Sequence, residues 1–352
     1  MKANRANRVV LAILASAFAT LVAAASVLSP GVAQSVALAA NAAEDAWKVE
    51  VAGGGKTIVL TPADLEGMGA VTAEAAFKKT TGKIEGPFEF KGVYMDDILA
   101  KVGGIAPSEA IRVTARDGYA MTYTYAQLAG NVLTYDKGGD VLRAGGVTMI
   151  LAYESDDPGA ADKLPRIVYI ASDKASSPPI TDGHFWTKAV AKIEVVPGVE
   201  DWAVKLSGVE QALLDRSTFE STVTCPSTPH PGVVWETTDK EGNKEVYEGL
   251  PLWIAISMID GGDAPGGHYL FNDDLARQGY KVQVISKDGY SVELEAALVA
   301  RNNDIMLAYK KNGEPLPEED APLMLAGKDL PSRKYMVKQI AELRLVDLPA
   351  TW

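Results

Sequence analysis

The chain has 352 residues, 47% of them hydrophobic, one cysteine and a formal net charge of −12. This length predicts about two domains, each able to bury a core. The acidic balance argues against nucleic acid and anionic membrane surfaces as partners, and the lone Cys225 excludes a disulfide within the chain.

Residues 1–42 read as a signal peptide and spacer. Lys2, Arg5 and Arg8 lead into an apolar run from Val9 to Leu28, followed by Ser29-Pro30-Gly31. Small-x-small cleavage candidates come next: Gly31-Val-Ala33, Ala37-Leu-Ala39 and Ala40-Asn-Ala42. A basic start, an apolar stretch and small residues mark a secretory signal, so the protein is expected in the periplasm, at the cell surface or secreted. The apolar run would also suffice to span a bilayer, so an uncleaved N-terminal anchor is the alternative and the only membrane attachment expected. The leader has no cysteine to carry a lipid, and Arg5 and Arg8 are split by Ala-Asn, so it lacks an adjacent arginine pair.

The β-branched run Lys56-Thr-Ile-Val-Leu60 predicts a strand. Thr61-Pro62-Ala-Asp64 predicts a helix start, with threonine as N-cap and proline at the first helical position. Met95, Ile98, Leu99 and Val102 share one helical face, and Gly103 stops that helix. Ile111, Val113 and Ala115 alternate, as do Tyr119, Met121 and Tyr123, with Asp117-Gly118 between them. This predicts a two-residue hairpin whose central residues both take positive φ.

The same sentence is then written again. Ile111-Arg-Val-Thr-Ala-Arg-Asp-Gly-Tyr119 is echoed by Val282-Gln-Val-Ile-Ser-Lys-Asp-Gly-Tyr290. Phe90-Lys-Gly-Val93 is matched to Tyr247-Glu-Gly-Leu250, and Gly103-Gly104 to Gly261-Gly262 after the helix predicted over 252–259. Leu133 to Leu142 is matched to Leu307 to Leu316, Thr148 to Ala152 is matched to Pro322 to Ala326, and Thr187-Lys188 to Val337-Lys338. The period exceeds that of solenoid repeats, roughly 20–50 residues, so the copies are expected to be globular domains over residues 43–198 and 199–352, linked near Pro197 to Asp201. Strands and short helices alternate without a βαβ rhythm, which predicts an α+β fold.

The order of these signatures, twice over, resembles the molybdopterin-binding domain of the sulfite oxidase-type oxidoreductases, present as two tandem, diverged copies over most of residues 47–347. The second copy follows the pattern more closely, in Tyr247-Glu-Gly-Leu-Pro-Leu252, Lys287-Asp-Gly-Tyr290 and Asn312-Gly-Glu-Pro-Leu316. The resemblance implies two mixed α/β domains after the signal peptide. In that family a dithiolene cofactor and one cysteine thiolate hold molybdenum, and a soft thiolate suits that metal. It therefore implies Cys225 as catalytic centre and metal ligand, with Lys338, Tyr290 and Asp288 as cofactor contacts and the lysine as a point charge on the phosphate. The chain departs from the family at the cysteine, which is followed by Pro-Ser-Thr-Pro instead of a Gly-Trp context. Pro322-Leu323-Met324 stands where the family often has Pro-Leu-Arg, and the first copy has no cysteine.

Two functions follow. The first is a non-catalytic exported protein, without cofactor, that binds a small ligand or an envelope protein through its two molybdopterin-binding-domain-like halves. The second is a molybdopterin-dependent oxidoreductase for oxygen-atom transfer or reduction of a small oxoanion or sulfoxide. Enzymes of the second kind are filled in the cytoplasm and exported folded, usually behind paired arginines, so this leader favours the first. A disulfide-linked dimer through Cys225 is a third reading. Lys188 is expected to be a surface lysine, Asp117 and Tyr119 hairpin and core residues, and His184, His230 and His268 solvated loop residues.

Overall fold

In the computed structural model, which describes residues 47–160, 162–173, 177–226, 232–262 and 269–350, the first half opens with an antiparallel hairpin. The signal segment, its alternative as an anchor, His230 and His268 lie outside the described residues. The hairpin pairs β1 (Val49–Gly53) with β2 (Lys56–Leu60). Helix α1 (Pro62–Glu66) follows, its capping box closed by Thr61 and Asp64. Strands β3 (Val71–Lys78) and β4 (Ile84–Tyr94) lead into α2 (Met95–Ala100), which Gly103 and Gly104 end at φ 110° and 82°. Next come β5 (Glu109–Ala115), β6 (Ala120–Thr124), α3 (Tyr125–Leu128) and the short hairpin of β7 (Leu133–Tyr135) and β8 (Val141–Ala144). Strands β9 (Val147–Ser155), β10 (Arg166–Ala171) and β11 (Ile180–Asp182), a 3-10 turn at Gly183–Phe185 and β12 (Val190–Pro197) complete this half.

The second half repeats the plan. It runs through β13 (Ala203–Ser207), β14 (Gln211–Asp215), α4 (Arg216–Thr224), β15 (Val233–Thr238), β16 (Lys244–Pro251) and α5 (Leu252–Ser257). Then follow α6 (Asp273–Gln278), β17 (Lys281–Ser286), β18 (Ser291–Glu295) and α7 (Ala296–Val299). Strands β19 (Met306–Lys311), β20 (Glu314–Pro315) and β21 (Met324–Ala326), a 3-10 turn at Arg333–Tyr335 and β22 (Ile340–Val346) close the chain. The fold is mixed α/β and dominated by strands, compatible with the α+β class expected. The described residues from Val49 onward belong to one compact unit.

Two five-stranded sheets have the same order, β2-β1-β12-β5-β6 and β14-β13-β22-β17-β18. In each, the first strand pairs in parallel with the last, and the other neighbours are antiparallel. A second sheet packs beside each: β10-β9-β4-β3-β11-β7-β8 in the first half and β15-β16-β19-β20, with β21 on β19, in the second. Leu252, Trp253, Leu275, Val282 and Leu343 are buried together in the core of the second half.

The aromatic-x-Gly signature has a physical cause. At both Gly92 and Gly249 the strand register shifts, β4 against β9 and β16 against β19. A Cβ at Gly92 would stand 2.5 Å from the Leu151 carbonyl oxygen, and one at Gly249 would stand 2.3 Å from that of Leu307. No side chain fits there.

Two sequence expectations need correction. Gly92 faces Ala152 and Gly249 faces Ala308, so β9 is equivalent to β19, and Thr148 to Ala152 matches Asp304 to Ala308 rather than Pro322 to Ala326. The β7–β8 hairpin pairs with β11, whereas β19 pairs with β16, β20 and β21, so Leu133 to Leu142 does not match Leu307 to Leu316. The backbone contact at the glycine sets the register, and local likeness between short apolar runs does not. Secondly, only Gly118 and Gly289 of the two Asp-Gly pairs have positive φ, at 91° and 88°. The hydrogen bonds Ala115 N–H to Tyr119 O and Ser286 N–H to Tyr290 O close three-residue loops. Asp117 and Asp288 instead turn their carboxylates to the N–H groups of Tyr119 and Tyr290, at 3.1 and 2.9 Å.

Helix α4 of the second half lies along β6, the outer strand of the first-half sheet. Thr224 Oγ1 accepts the Ala120 N–H at 3.0 Å, and Glu220 Oε2 accepts the Thr122 N–H at 2.7 Å. Arg216 Nη1 donates to the Thr122 carbonyl at 2.9 Å. The guanidinium also holds Asp201 at 2.9 Å, Glu220 at 3.2 Å and Gln127 Oε1 at 3.3 Å, and its side chain is only 4% exposed.

Gly249→Ala is expected to destabilise the protein by about 3 kcal/mol, the scale of forced overpacking, in chemical denaturation; a neutral effect would disprove the close-approach account. Arg216→Ala should cost roughly 3–5 kcal/mol, because it strands Glu220 beside a buried strand edge. Adding Glu220→Ala should recover part of that loss, which a double-mutant cycle reads directly.

Candidate functional site

A cavity of about 360 Å³ opens where α4 crosses the first half. Its wall is drawn from four places. Phe77, Lys79, Thr80 and Thr81 come from the end of β3 and the turn after it, and Asp117 and Tyr119 from the β5–β6 loop. His184, Trp186 and Lys188 come from the 3-10 turn and the segment leading to β12. Thr218, Ser221, Cys225, Pro226 and Tyr269 come from the second half.

Strand periodicity sets this geometry. Tyr119 and Tyr123 lie four residues apart on or beside β6 and so point to one face. The Tyr119 hydroxyl donates to the His184 carbonyl at 2.7 Å, and the Tyr123 hydroxyl donates to that of Phe185 at 2.6 Å. Together they fix the turn that carries Trp186 and Lys188, and Trp186 Nε1 is anchored on Thr181 Oγ1 at 2.8 Å. Burial raises the Tyr119 phenol well above its ordinary range, with Tyr123 and Cys225 adding to the effect, so it stays a neutral donor. Its oxygen also lies 3.0 Å from Ser221 Oγ on α4.

Lys188 carries the electrostatics. Its stem is half-buried, its ammonium lies 5.5 Å from the Phe77 ring, and no carboxylate among the described residues is within ion-pair distance. Burial, then Arg166, Lys163 and Lys79, lower its pKa to about 8. Arg166 is 1% exposed, holds Asp157 at 3.1 Å and stacks 5.0 Å from Trp186 and 5.5 Å from Phe77. Its Nε and Nη2 have no hydrogen-bond partner among the described residues.

His184 is not the solvated loop residue expected from the sequence. Its ring packs 4.2 Å from Phe185, and Nε2 lies 3.2 Å from Ser217 Oγ. Ser217 donates to Asp215 at 2.9 Å, so the imidazole donates through Nε2. Burial lowers its pKa, which keeps it neutral at pH 7. Lys188, expected on the surface, lines the cavity, and Asp117 and Tyr119 line it as well as shaping the hairpin. Sequence spacing could not find this set, because a third of its wall, from Thr218, Ser221, Cys225, Pro226 and Tyr269, comes from the other copy.

Cys225 sits at the end of α4 and lines this cavity, half-buried. The three residues proposed beside it do not. The Lys338 ammonium is 2.5 Å from Asp320. Asp288 accepts the Tyr290 N–H, which lowers its pKa. The Tyr290 hydroxyl donates to the Lys334 carbonyl at 2.7 Å, the same bond that Tyr119 makes to His184. The Asp-Gly-Tyr signature thus has a structural use in both halves. The described residues contain no group of three histidine, cysteine or acidic side chains placed to hold a metal ion.

No protein-family model matches the chain, and no curated protein matches it. Among solved structures, the sulfane dehydrogenase SoxCD from Paracoccus pantotrophus is similar over 86% of this chain and 78% of its own, at 13% identity and a TM-score of 0.34.

A buried ammonium with a lowered pKa opposes folding below about pH 8 and ceases to do so as pH rises toward the unfolded value of 10.5. Lys188→Met should therefore stabilise the protein at pH 7, by roughly 1 kcal/mol after allowance for partial exposure. The gain should shrink between pH 8 and 10. Thermal melts of both proteins at pH 7 and 10 test this, and a gain independent of pH would refute the burial of charge.

Proposed function

We propose that this is an exported, non-catalytic protein whose two sulfite oxidase-like halves, residues 43–198 and 199–352, hold a small ligand in the cavity at their seam. One observation carries the reading: a recess of about 360 Å³, within the size range of small-molecule sites, is lined by Lys188 of one half and by Ser221 and Cys225 of the other. A ligand there would touch both copies. Export rests on the leader of Lys2, Arg5 and Arg8 followed by the Val9 to Leu28 run. An envelope protein is the alternative partner to a small ligand; the volume of the recess, about 360 Å³, favours the small ligand.

The residues do not fit molybdopterin as the resemblance implies. Lys338, Tyr290 and Asp288 are engaged with Asp320, Lys334 and their own turn, and none lines the cavity that holds Cys225. A molybdopterin-dependent oxidoreductase with Cys225 as metal ligand stays the second reading on one observation, that the thiol and the ammonium of Lys188 line the same cavity.

Elemental analysis of the protein purified from its native envelope separates the two. Molybdenum is expected at background, and Cys225→Ala is expected to melt within about 2 °C of the parent, as a half-buried substitution should. Stoichiometric molybdenum that disappears in Cys225→Ala would reverse the assignment.

A further inference from the structure

We propose that the cavity takes a small organic anion, its acidic group on Lys188 and its organic body in the remainder of the recess. This rests on the ligand-binding reading above and specifies the ligand's chemistry.

Lys188 presents its ammonium to the cavity wall, and no carboxylate among the described residues is within ion-pair distance of it. Beside the cavity, the buried Arg166 guanidinium stacks on Phe77 and Trp186, and two of its nitrogens have no hydrogen-bond partner among the described residues. Lys79, at the mouth, is held by Glu85 at 2.7 Å. In a chain of net charge −12, this is a local excess of positive charge in a partly desolvated recess, where an anion gains most. Asp117 also lines the cavity, but it is exposed and solvent screens it.

Size then excludes a bare inorganic oxoanion. A space of about 360 Å³ equals roughly a dozen waters at about 30 Å³ each. A sulfate or phosphate would fill only a small part of that space. An organic body attached to the acidic group fills the rest and displaces that water. The hydroxyls of Thr80, Thr81 and Ser221 line the same space and can accept or donate to substituents.

Lys188 also gives the site a pH response. The groups that face it are Arg166 and Lys163 from β10 and the loop before it, and Lys79 and Glu85 from the β3–β4 turn. Asp117, His184 and Cys225 share the cavity. With the ammonium titrating at about 8, anion affinity is full at neutral pH and declines above it.

The test is isothermal titration calorimetry of the full chain with three probes of one shape: benzoate, benzamide and benzylamine. Benzoate is expected to bind at least about tenfold more tightly than benzamide, with benzylamine weakest. Lys188→Met, folded by circular dichroism, should erase the preference, and Lys188→Arg should keep part of it. In the parent protein, benzoate affinity should fall between pH 7 and 9.5 while benzamide affinity does not; this measurement needs no variant. Equal binding of benzoate and benzamide would overturn the anion assignment and leave the cavity a ligand site. Displacement of benzoate by equimolar sulfate would overturn the organic body. Failure of all three probes to bind would overturn the ligand-binding reading as well.

Discussion

Arg216 is the point at which two repeated halves become one molecule. It begins α4 and is followed along one helical face by Glu220 and Thr224, four and eight residues on. Such a row advances about 6.0 Å per step, while alternate residues of an extended strand advance about 6.8 Å. The near match lets one helix face serve Ala120 and Thr122 in turn, so side chains replace the neighbouring strand that β6 lacks. The guanidinium makes the arrangement electrically tolerable by neutralising Glu220 at the seam and reaching Asp201 in the linker. Once α4 is fixed there, its C-terminal end delivers Cys225, and its exposed flank delivers Thr218 and Ser221, to the cavity rim.

The two halves share one backbone frame but surround it differently. Ala189 and Gln339 both take positive φ, at 51° and 49°, directly after Lys188 and Lys338. Their carbonyls accept from Arg116 and Lys287 in the same way. In the second half the tyrosine on this frame is 49% exposed and the lysine reaches Asp320. In the first half α4 covers the tyrosine, and the lysine looks into a recess. The same hydrogen-bonded frame thus stands in both halves, and in the first it also carries a covering helix.

Much of this was legible in the sequence. Thr61 and Asp64 announced their capping box, the Gly-Gly pairs announced helix ends, and the Asp-Gly-Tyr echo announced the duplicated hairpin. Gly92 and Gly249 marked a backbone approach that only glycine permits. The turn type was misjudged because the aspartate carboxylate can bond the backbone two residues on, which removes the need for a second positive φ. The middle of the repeat was misaligned because short apolar runs such as Thr148 to Ala152 and Pro322 to Ala326 look alike, while pairing distinguishes them. The site itself was least legible. Lys188 and His184 have no helical or strand periodicity linking them to Ser221 and Cys225; only the docking of α4 brings them together.

The seam also has a direction. The second half covers the outer strand of the first, and in the second sheet the corresponding outer strand is β18. The join is therefore head-to-tail, a relation that does not close on itself. An uncovered outer strand invites pairing with another chain. Here β18 presents Ser291, Glu293 and Glu295 as partly or fully exposed positions, with Lys281 drawn to Glu293 at 3.4 Å. Among the described residues no further strand pairs with β18, and its charges blunt that edge.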